Sequence, residues 1–355
     1  MQSAKGLASA KEFREIRTLV GDLMHRRASI YWLDLIVTLL VGYSAAGVYF
    51  KSSHWYFQVA GLVVASFALF RSGSFIHEIT HFRQGEMTSF VIGWNLLAGI
   101  PMLTPSHFYQ NHIDHHKSDH YGTVHDGEYL PLWGAGVRQF AMFFAQVPLL
   151  PLFVFTRLLL APLSFVSPGV RNWTLEHASS FVINFRHRLT IPQHAPRKTW
   201  AALELACSAR AAAMLGVVAL GVFPPTRLMQ MYVLSMCVLG LNYIRNLAAH
   251  HYRNAGDPMS HMEQLDDSVN IEGMPIVTEL FFPLHLRYHA LHHLLPSMPF
   301  HNLHKAHQRL MEELSQSSPY RKTVYRSFFT VVRELWEGRA IEHAAQAEPP
   351  RRLAA

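Results

Sequence analysis

Three runs of histidine have a spacing that suits chemistry: His77-Glu78-Ile79-Thr80-His81, His112-Ile113-Asp114-His115-His116 and His289-Ala290-Leu291-His292-His293. On a helix of 3.6 residues per turn, positions i, i+3 and i+4 share a face, so each HxxHH run is expected to aim three imidazoles at one spot. Neutral imidazole is a ligand for zinc, copper and iron. Chance supplies roughly 0.1 HxxHH matches in a chain with 24 histidines among 355 residues, and this chain has two.

A zinc ion takes three or four protein ligands, and the eight histidines of these runs exceed that need. Two metals a few ångströms apart fit the count, and an all-imidazole pair at a membrane surface points to iron that binds and activates oxygen. The Glu and Glu-x-x-His pairs of soluble di-iron bundles are absent. Cys207 and Cys237, the two cysteines, lie in apolar runs and offer neither a disulfide framework nor a Cys-x-x-Cys metal site. The net charge of +7 comes from basic residues scattered through the loops, where positive-inside bias places them, so it reads as topology and not as nucleic-acid binding.

Half of the residues are apolar, 15% are charged, and the apolar ones are bunched as in membrane proteins. About 20 apolar residues span a bilayer. Residues 30–50, interrupted by Asp34, read as a first span, and 55–70, stopped by Arg71, as its return. Residues 201–223 and 228–244 form a second hairpin around Pro224-Pro225-Thr226-Arg227 and bring Asn246 and His250 back to the starting side. Residues 89–103 are short, carry Asn95 and Gly99 and end in Pro101 and Pro105. A crossing there would strand His112 on the wrong side, so they are expected to re-enter. Pro148, Pro151, Pro162 and Arg157 break 140–166 into an interfacial or buried pair of short helices.

Residues 167–199 are polar and basic, with Arg171, Arg186, Arg188, Arg197 and Lys198, and belong with the histidines. The expected fold is all-α and membrane-integral, with about four spanning helices in two hairpins, interfacial helices and a cytoplasmic helical cap holding a di-iron site. Residues 1–28, with Lys5, Lys11, Arg14, Arg17, Arg26 and Arg27, form a polar or interfacial segment without a signal-peptide pattern. Residues 29–312 form the membrane domain, and 313–355 a C-terminal helix and a tail expected to be disordered from His343.

Over residues 30–312 the order and spacing of the three runs resemble the histidine boxes of the membrane fatty acid desaturase family. Asn246-Leu247-Ala248-Ala249-His250 is similar to the Asn-x-x-x-His segment of acyl desaturases, and Leu294-Leu295-Pro296 to the family's continuation of its third box. The resemblance implies His77, His81, His112, His115, His116, His250, His289, His292 and His293 as iron ligands, with Asn246 acting through a water. It implies four spans in a mushroom shape, two iron ions, O2 as co-substrate, and an acyl tunnel leading to the site. Three residues between the histidines of the first box look more like the acyl-lipid and ceramide-type branches than the acyl-coenzyme-A branch.

No haem-binding His-Pro-Gly-Gly segment and no iron–sulfur cysteines are present, so electrons are expected from a separate donor of ferredoxin or cytochrome b5 type, which the basic cap could dock. With a lipid or acyl carrier as substrate, removal of two hydrogens gives a double bond and return of hydroxyl gives an alcohol. Desaturation is the leading expectation, with hydroxylase, acetylenase, and alkane or carotenoid oxygenase as alternatives on the same boxes. Glu78, Asp114, Asp126, Glu128, Asp266 and Asp267 could orient ligating imidazoles, and His107, His120, His125, His251, His285 and His301 are expected in packing, surface or orienting roles. A rival class rests on His77-Glu78-x-x-His81, which also satisfies HExxH, the signature of a zinc protease with Glu78 as base. That reading leaves both HxxHH runs without a purpose. A metal transporter or di-haem cytochrome would place its ligands within the spans.

Overall fold

The computed structural model describes residues 2–130, 132–181 and 187–339, with 2–10 as backbone; Arg186 and the tail from His343 lie outside these. Four helices build the membrane body: α1 (Ala28–Lys51), α2 (Trp55–Thr80), α3 (Arg197–Ala219) and α4 (Thr226–Asn246). The first three are long and apolar enough to cross a bilayer. They leave Leu33, Leu40, Val63, Val64 and Leu205 exposed, as lipid-facing surfaces do. Inside the first hairpin the helices touch closely: a Cβ at Gly61 would lie 2.7 Å from the Tyr49 backbone nitrogen.

Gln230, Asn242 and Arg245 make α4 less apolar, yet its ends mark it as a crossing. Arg227 donates to the Phe50 carbonyl and Gln230 Nε2 to the Tyr49 carbonyl (3.3 Å), at the α1–α2 turn. Its other end carries Asn246 to the histidines, and 21 residues rise about 31 Å. Both hairpin turns therefore lie at one end of the body and all histidine runs at the other. The intruding charge of α1 is paired: Asp34 accepts from Arg71 Nη2 at 2.5 Å, and Arg71 Nη1 reaches Glu279 at 2.9 Å. Beyond Arg71, where the sequence places the end of the second span, α2 runs on unbroken to Thr80 and carries His77 to the histidine side.

Residues 89–103 re-enter as expected. The helix Thr88–Trp94 and a π-helical turn Asn95–Gly99 bend back, and Asn95 Oδ1 accepts from the Ser106 backbone (3.0 Å) while Trp94 Nε1 donates to the Ser72 carbonyl (2.8 Å). The stretch Val137–Leu159 is apolar and long enough to cross, as its length in the sequence allows, and it is broken into a pair of short helices as its prolines and Arg157 suggest. It consists of helices Val137–Phe144 and Gln146–Leu159, and both of its ends return to the histidine side. Gly134 donates to the Leu335 carbonyl before it, and Phe181 to the Phe108 carbonyl after it.

Its anchor is Glu204 of α3, fully buried, which accepts from Arg157 Nη2 (2.8 Å) and Arg171 Nη1 (2.8 Å) and lies 3.1 Å from His107 Nε2. Above the body, helices His289–Leu294, Phe300–Glu313 and Phe328–Glu337 form the cap. It includes one two-residue parallel pair, Asn270–Ile271 with Val324–Tyr325. Arg309 fastens the N-terminal segment to the cap through the Leu19 carbonyl (2.8 Å) and Asp22 (2.5 Å).

Glu204→Ala leaves the buried Arg157 and the part-buried Arg171 without their carboxylate. We expect a loss of roughly 3–5 kcal/mol of stability, read as a lowered midpoint of thermal unfolding in detergent, and a midpoint within a degree of wild type would show that the cluster carries no stability.

Candidate metal centre

The last turn of α2 presents His77 and His81, four residues apart, on one face. The short helix Asn111–His115 and the residue after it supply His112, His115 and His116, and the helix His289–Leu294 supplies His289, His292 and His293. That second helix is set by Asn270, whose Oδ1 accepts from the Leu291 backbone (3.2 Å) while its Nδ2 holds Thr323 (2.8 Å). His250 arrives from just beyond α4.

These side chains form two groups. His77, His81, His112 and His292 bring ligand nitrogens within 4.8 Å of one another, and so do His115, His250, His289 and His293. His116 stands between them: its Nε2 lies 3.1 Å from those of both His112 and His292, and its ring stacks on His293 at 4.3 Å. Each HxxHH run is thus divided between two spots and does not converge on one. The reason is angular. At about 100° per residue, i and i+4 differ by roughly 40° whereas i+3 falls about 60° to the other side. His112 and His116 therefore face the first group and His115 the second, while His289 and His293 face the second and His292 the first.

The donor set fits metal ions. His77 and His293 have both ring nitrogens buried without a hydrogen-bond partner, and so do His81 Nε2 and one nitrogen each of His116, His289 and His292. Where Nε2 atoms approach one another, as in His289 and His250 at 2.9 Å and His115 and His250 at 3.1 Å, a neutral ring has too few protons to satisfy every pair. A cation accepting those lone pairs resolves the conflict. Burial pushes His116, His250, His289, His292 and His293 well below the ordinary imidazole pKa, toward the neutral form that coordinates.

Three rings are oriented from behind. His115 Nδ1 meets Asp126 at 2.8 Å, His112 Nδ1 meets Glu128 at 3.1 Å, and His250 Nδ1 meets the Tyr121 hydroxyl at 2.8 Å and Ser268 Oγ at 3.1 Å. Burial alone would raise the pKa of Asp126 and Glu128; the facing His115 and His112 outweigh it and hold both carboxyls below the usual range. Asp267 acts one step further out, accepting from Tyr121 (2.9 Å) and Tyr129 (2.8 Å). Tyr121, Ser268 and Tyr129 were absent from the sequence reading, since a lone tyrosine or serine carries no spacing signal.

The remaining candidates stay outside the two groups. Asp114 pairs with Lys117 (2.6 Å), Asp266 is exposed, His107 stacks on Trp200, and His120 lies beside His125. His251 lies 3.2 Å from the Tyr325 hydroxyl, His285 approaches Glu279 at 3.2 Å, and His301 accepts from the Arg27 backbone. Glu78 points away from the imidazoles, accepting from the Tyr31 hydroxyl (2.5 Å) and the Phe300 backbone (3.3 Å), so it ties α2 to the segment after the third run and cannot serve as a base at a metal. Asn246 Oδ1 accepts from Arg245 Nη2 (2.7 Å). Asn246 lines a cavity of about 10 Å³ with His112, His115, Glu128, His250 and His289, room for about one water.

A second cavity of about 130 Å³ opens beside His77. It runs between α2 and α4, with Phe70, Gly73, Val238 and Leu239 among its walls. Its apolar lining suits an alkyl chain.

We expect Asp126→Ala to weaken metal retention by about 10–100-fold, the usual effect of losing the group behind a ligating imidazole, and Glu78→Gln to leave the metal content unchanged. Plasma mass spectrometry of the purified variants checks both, and metal loss in Glu78→Gln would overturn the assignment of that carboxylate to packing.

Two comparisons bear on this geometry. A model of the fatty acid desaturase family matches residues 53–325. A ceramide hydroxylase of Caulobacter vibrioides is 36% identical over 338 residues, covering 94% of this chain and 95% of that protein. Together with four helices apolar enough to span a membrane and two histidine groups able to hold metal, these matches place the chain in the fatty acid desaturase family of di-iron membrane enzymes, as an oxidoreductase acting on a lipid.

Proposed function

We propose that this protein is a membrane lipid hydroxylase that inserts oxygen into an alkyl carbon of a ceramide-type lipid. The observation that carries the reading is the near full-length similarity to a ceramide hydroxylase. Histidine sets of this kind serve desaturation and hydroxylation alike, so the boxes alone do not choose, and the leading expectation of a double bond gives way to the alternative. The reaction balances as R–H + O2 + 2 e⁻ + 2 H⁺ giving R–OH + H2O. Desaturation, kept as the second reading because the family model supports it, consumes the same oxygen and electrons and releases two waters.

Nine histidines are proposed as iron ligands: His77, His81, His112, His115, His116, His250, His289, His292 and His293, with Asn246 holding a water in the 10 Å³ cavity. Two iron ions held there supply the oxidising chemistry toward an unactivated C–H bond when O2 and electrons arrive. The chain itself does the rest. Asp126, Glu128 and Tyr121 fix ring orientation, and burial of the histidines excludes water. The cavity beside His77 holds one carbon near the metals.

The electron donor is proposed to be a separate protein of ferredoxin or cytochrome b5 type. The metal side is proposed to face the cytoplasm, since Arg26, Arg83, Lys117, Arg253 and Lys305 gather there and only Lys51 and Arg227 flank the opposite turns.

Lipid mass spectrometry of a ceramide-producing host expressing the chain tests the reading. A ceramide heavier by one oxygen, absent with His292→Ala, is expected. A species lighter by two hydrogens would move the assignment to desaturase on the same site, and full activity in His292→Ala would sink the ligand set.

A further inference from the structure

The cavity beside His77 is apolar at one end and polar at the other. Phe70 lies two helical turns below His77, and Val238 two turns below Asn246. Toward the metal end come Thr104, Tyr109, Asn242 and Arg245. Thr104 sits between Met102, whose Cε lies 3.5 Å from the Cβ position of Gly73, and Tyr109, whose ring is 6.3 Å from His77. Arg245 lines this cavity and also the small one among the histidines, so the two spaces adjoin across a single side chain.

Two of these polar groups have unused capacity. Thr104 Oγ1 is buried without any hydrogen-bond partner, a cost that a folded chain rarely leaves standing. Asn242 Oδ1 accepts from Arg245 Nε (3.2 Å), which fixes the amide and leaves its two Nδ2 donors to the cavity that it lines. By contrast Tyr109 donates its hydroxyl to Glu128 (3.1 Å), and Arg245 directs Nε and Nη2 to Asn242 and Asn246. A hydroxyl that can both donate and accept, beside an amide that donates, is complementary to another hydroxyl or a carboxamide. An alkyl chain would leave both unsatisfied.

We propose that Thr104 and Asn242 form a recognition site for a hydroxyl or amide group in the polar head of the lipid, and that they set which carbon is oxidised. The head then sits at the metal end and the tail runs down past Phe70 and Val238 toward the bilayer. One helical turn, about 6 Å, separates Asn242 from Asn246 at the histidine cavity, so the oxidised carbon is one within a few bonds of the group bound there, and the tail beyond Phe70 and Val238 lies too far from the metals. At about 130 Å³ the space admits one segment of a lipid, well below the ~300–1,000 Å³ of clefts that enclose a whole small ligand. The position of oxidation rests on the hydroxylase reading; recognition of the head does not.

The test uses the full-length protein in phospholipid nanodiscs and displacement of a fluorescent ceramide by two competitors: ceramide, and hexadecyl palmitate, a two-chain lipid without hydroxyl or amide. Wild type is expected to prefer ceramide by about 10-fold or more, as a site built to hydrogen-bond discriminates against an analogue lacking the group. Thr104→Val and Asn242→Leu should reduce that ratio toward one, and Thr104→Ser, which keeps the hydroxyl, should retain it. Equal affinity of wild type for both competitors, or an unchanged ratio in Thr104→Val, would overturn the proposal. So would an oxygen located by tandem mass spectrometry near the middle or methyl end of a chain. Discrimination that persists in a protein making no oxygenated lipid would support the recognition site and refute the hydroxylase reading instead.

Discussion

The structure depends on a conflict among lone pairs. Nine imidazoles are packed together, six of them with Nε2 atoms 2.9 to 3.1 Å from a neighbour's, and other ring nitrogens of His77, His81, His116, His289, His292 and His293 are buried with no hydrogen-bond partner. Without a cation such an arrangement would be costly, because each unsatisfied buried nitrogen forfeits its hydration. The surroundings are built to sustain it. Asp126 and Glu128 stay ionised behind His115 and His112, and Tyr121 and Ser268 occupy the back of His250, so the front nitrogens keep one direction. Placing negative charge behind the rings, on the side away from the shared space, raises their basicity toward a metal while leaving coordination positions to imidazole.

Bringing these rings together from positions as far apart as 77 and 293 is a problem of lengths. Two hairpins of similar span place both turns at one end of the body and the ends of α2 and α4 at the other, so His77 and His250 arrive at the same height. Everything between them must start and finish on that side. The re-entrant segment closed by Asn95 and Ser106, and the Val137–Leu159 pair held by Glu204, meet the condition without a crossing. Glu78 contributes to the same end by joining α2 to Tyr31 and to the helix that follows the third run. An acidic residue inside an HExxH string thereby serves as a strut between elements, which is a matter of direction and cannot be read from spacing.

Much of the site was legible because ligating histidines leave a periodic trace. The two HxxHH runs and the pair His77 and His81 could be found from their spacing before any coordinates, as could both hairpins and the re-entrant segment, whereas His250 was marked by the family resemblance and by no spacing of its own. What stayed hidden depends on contacts across long sequence separations. Tyr121 reaches a ring 129 residues away, and Asn270 sets the helix of the third run through a side chain that no local pattern marks. The division of each run between two groups was implicit in helical geometry, but only the placement of neighbours shows which side is occupied. The break of residues 137–159 into two helices was legible in their prolines, whereas the partner of Arg157 was not, because the carboxylate that neutralises it lies 47 positions on.

Hydroxylation and desaturation share their first demand, one hydrogen taken from a methylene held near the metals, and part at the second. A double bond requires that the neighbouring carbon also present a hydrogen within reach, and an alcohol requires that it not do so before hydroxyl returns to the first. The outcome is therefore a property of how the chain is held and not of the ligand set. A lipid held at a polar head by Thr104 and Asn242, which line the cavity beside His77, would lose its freedom to slide along that cavity. A chain held by apolar contact alone keeps that freedom. Held by its head, a lipid would meet the metals at one carbon whichever outcome follows, so the polar end of the cavity bears on the position of oxidation.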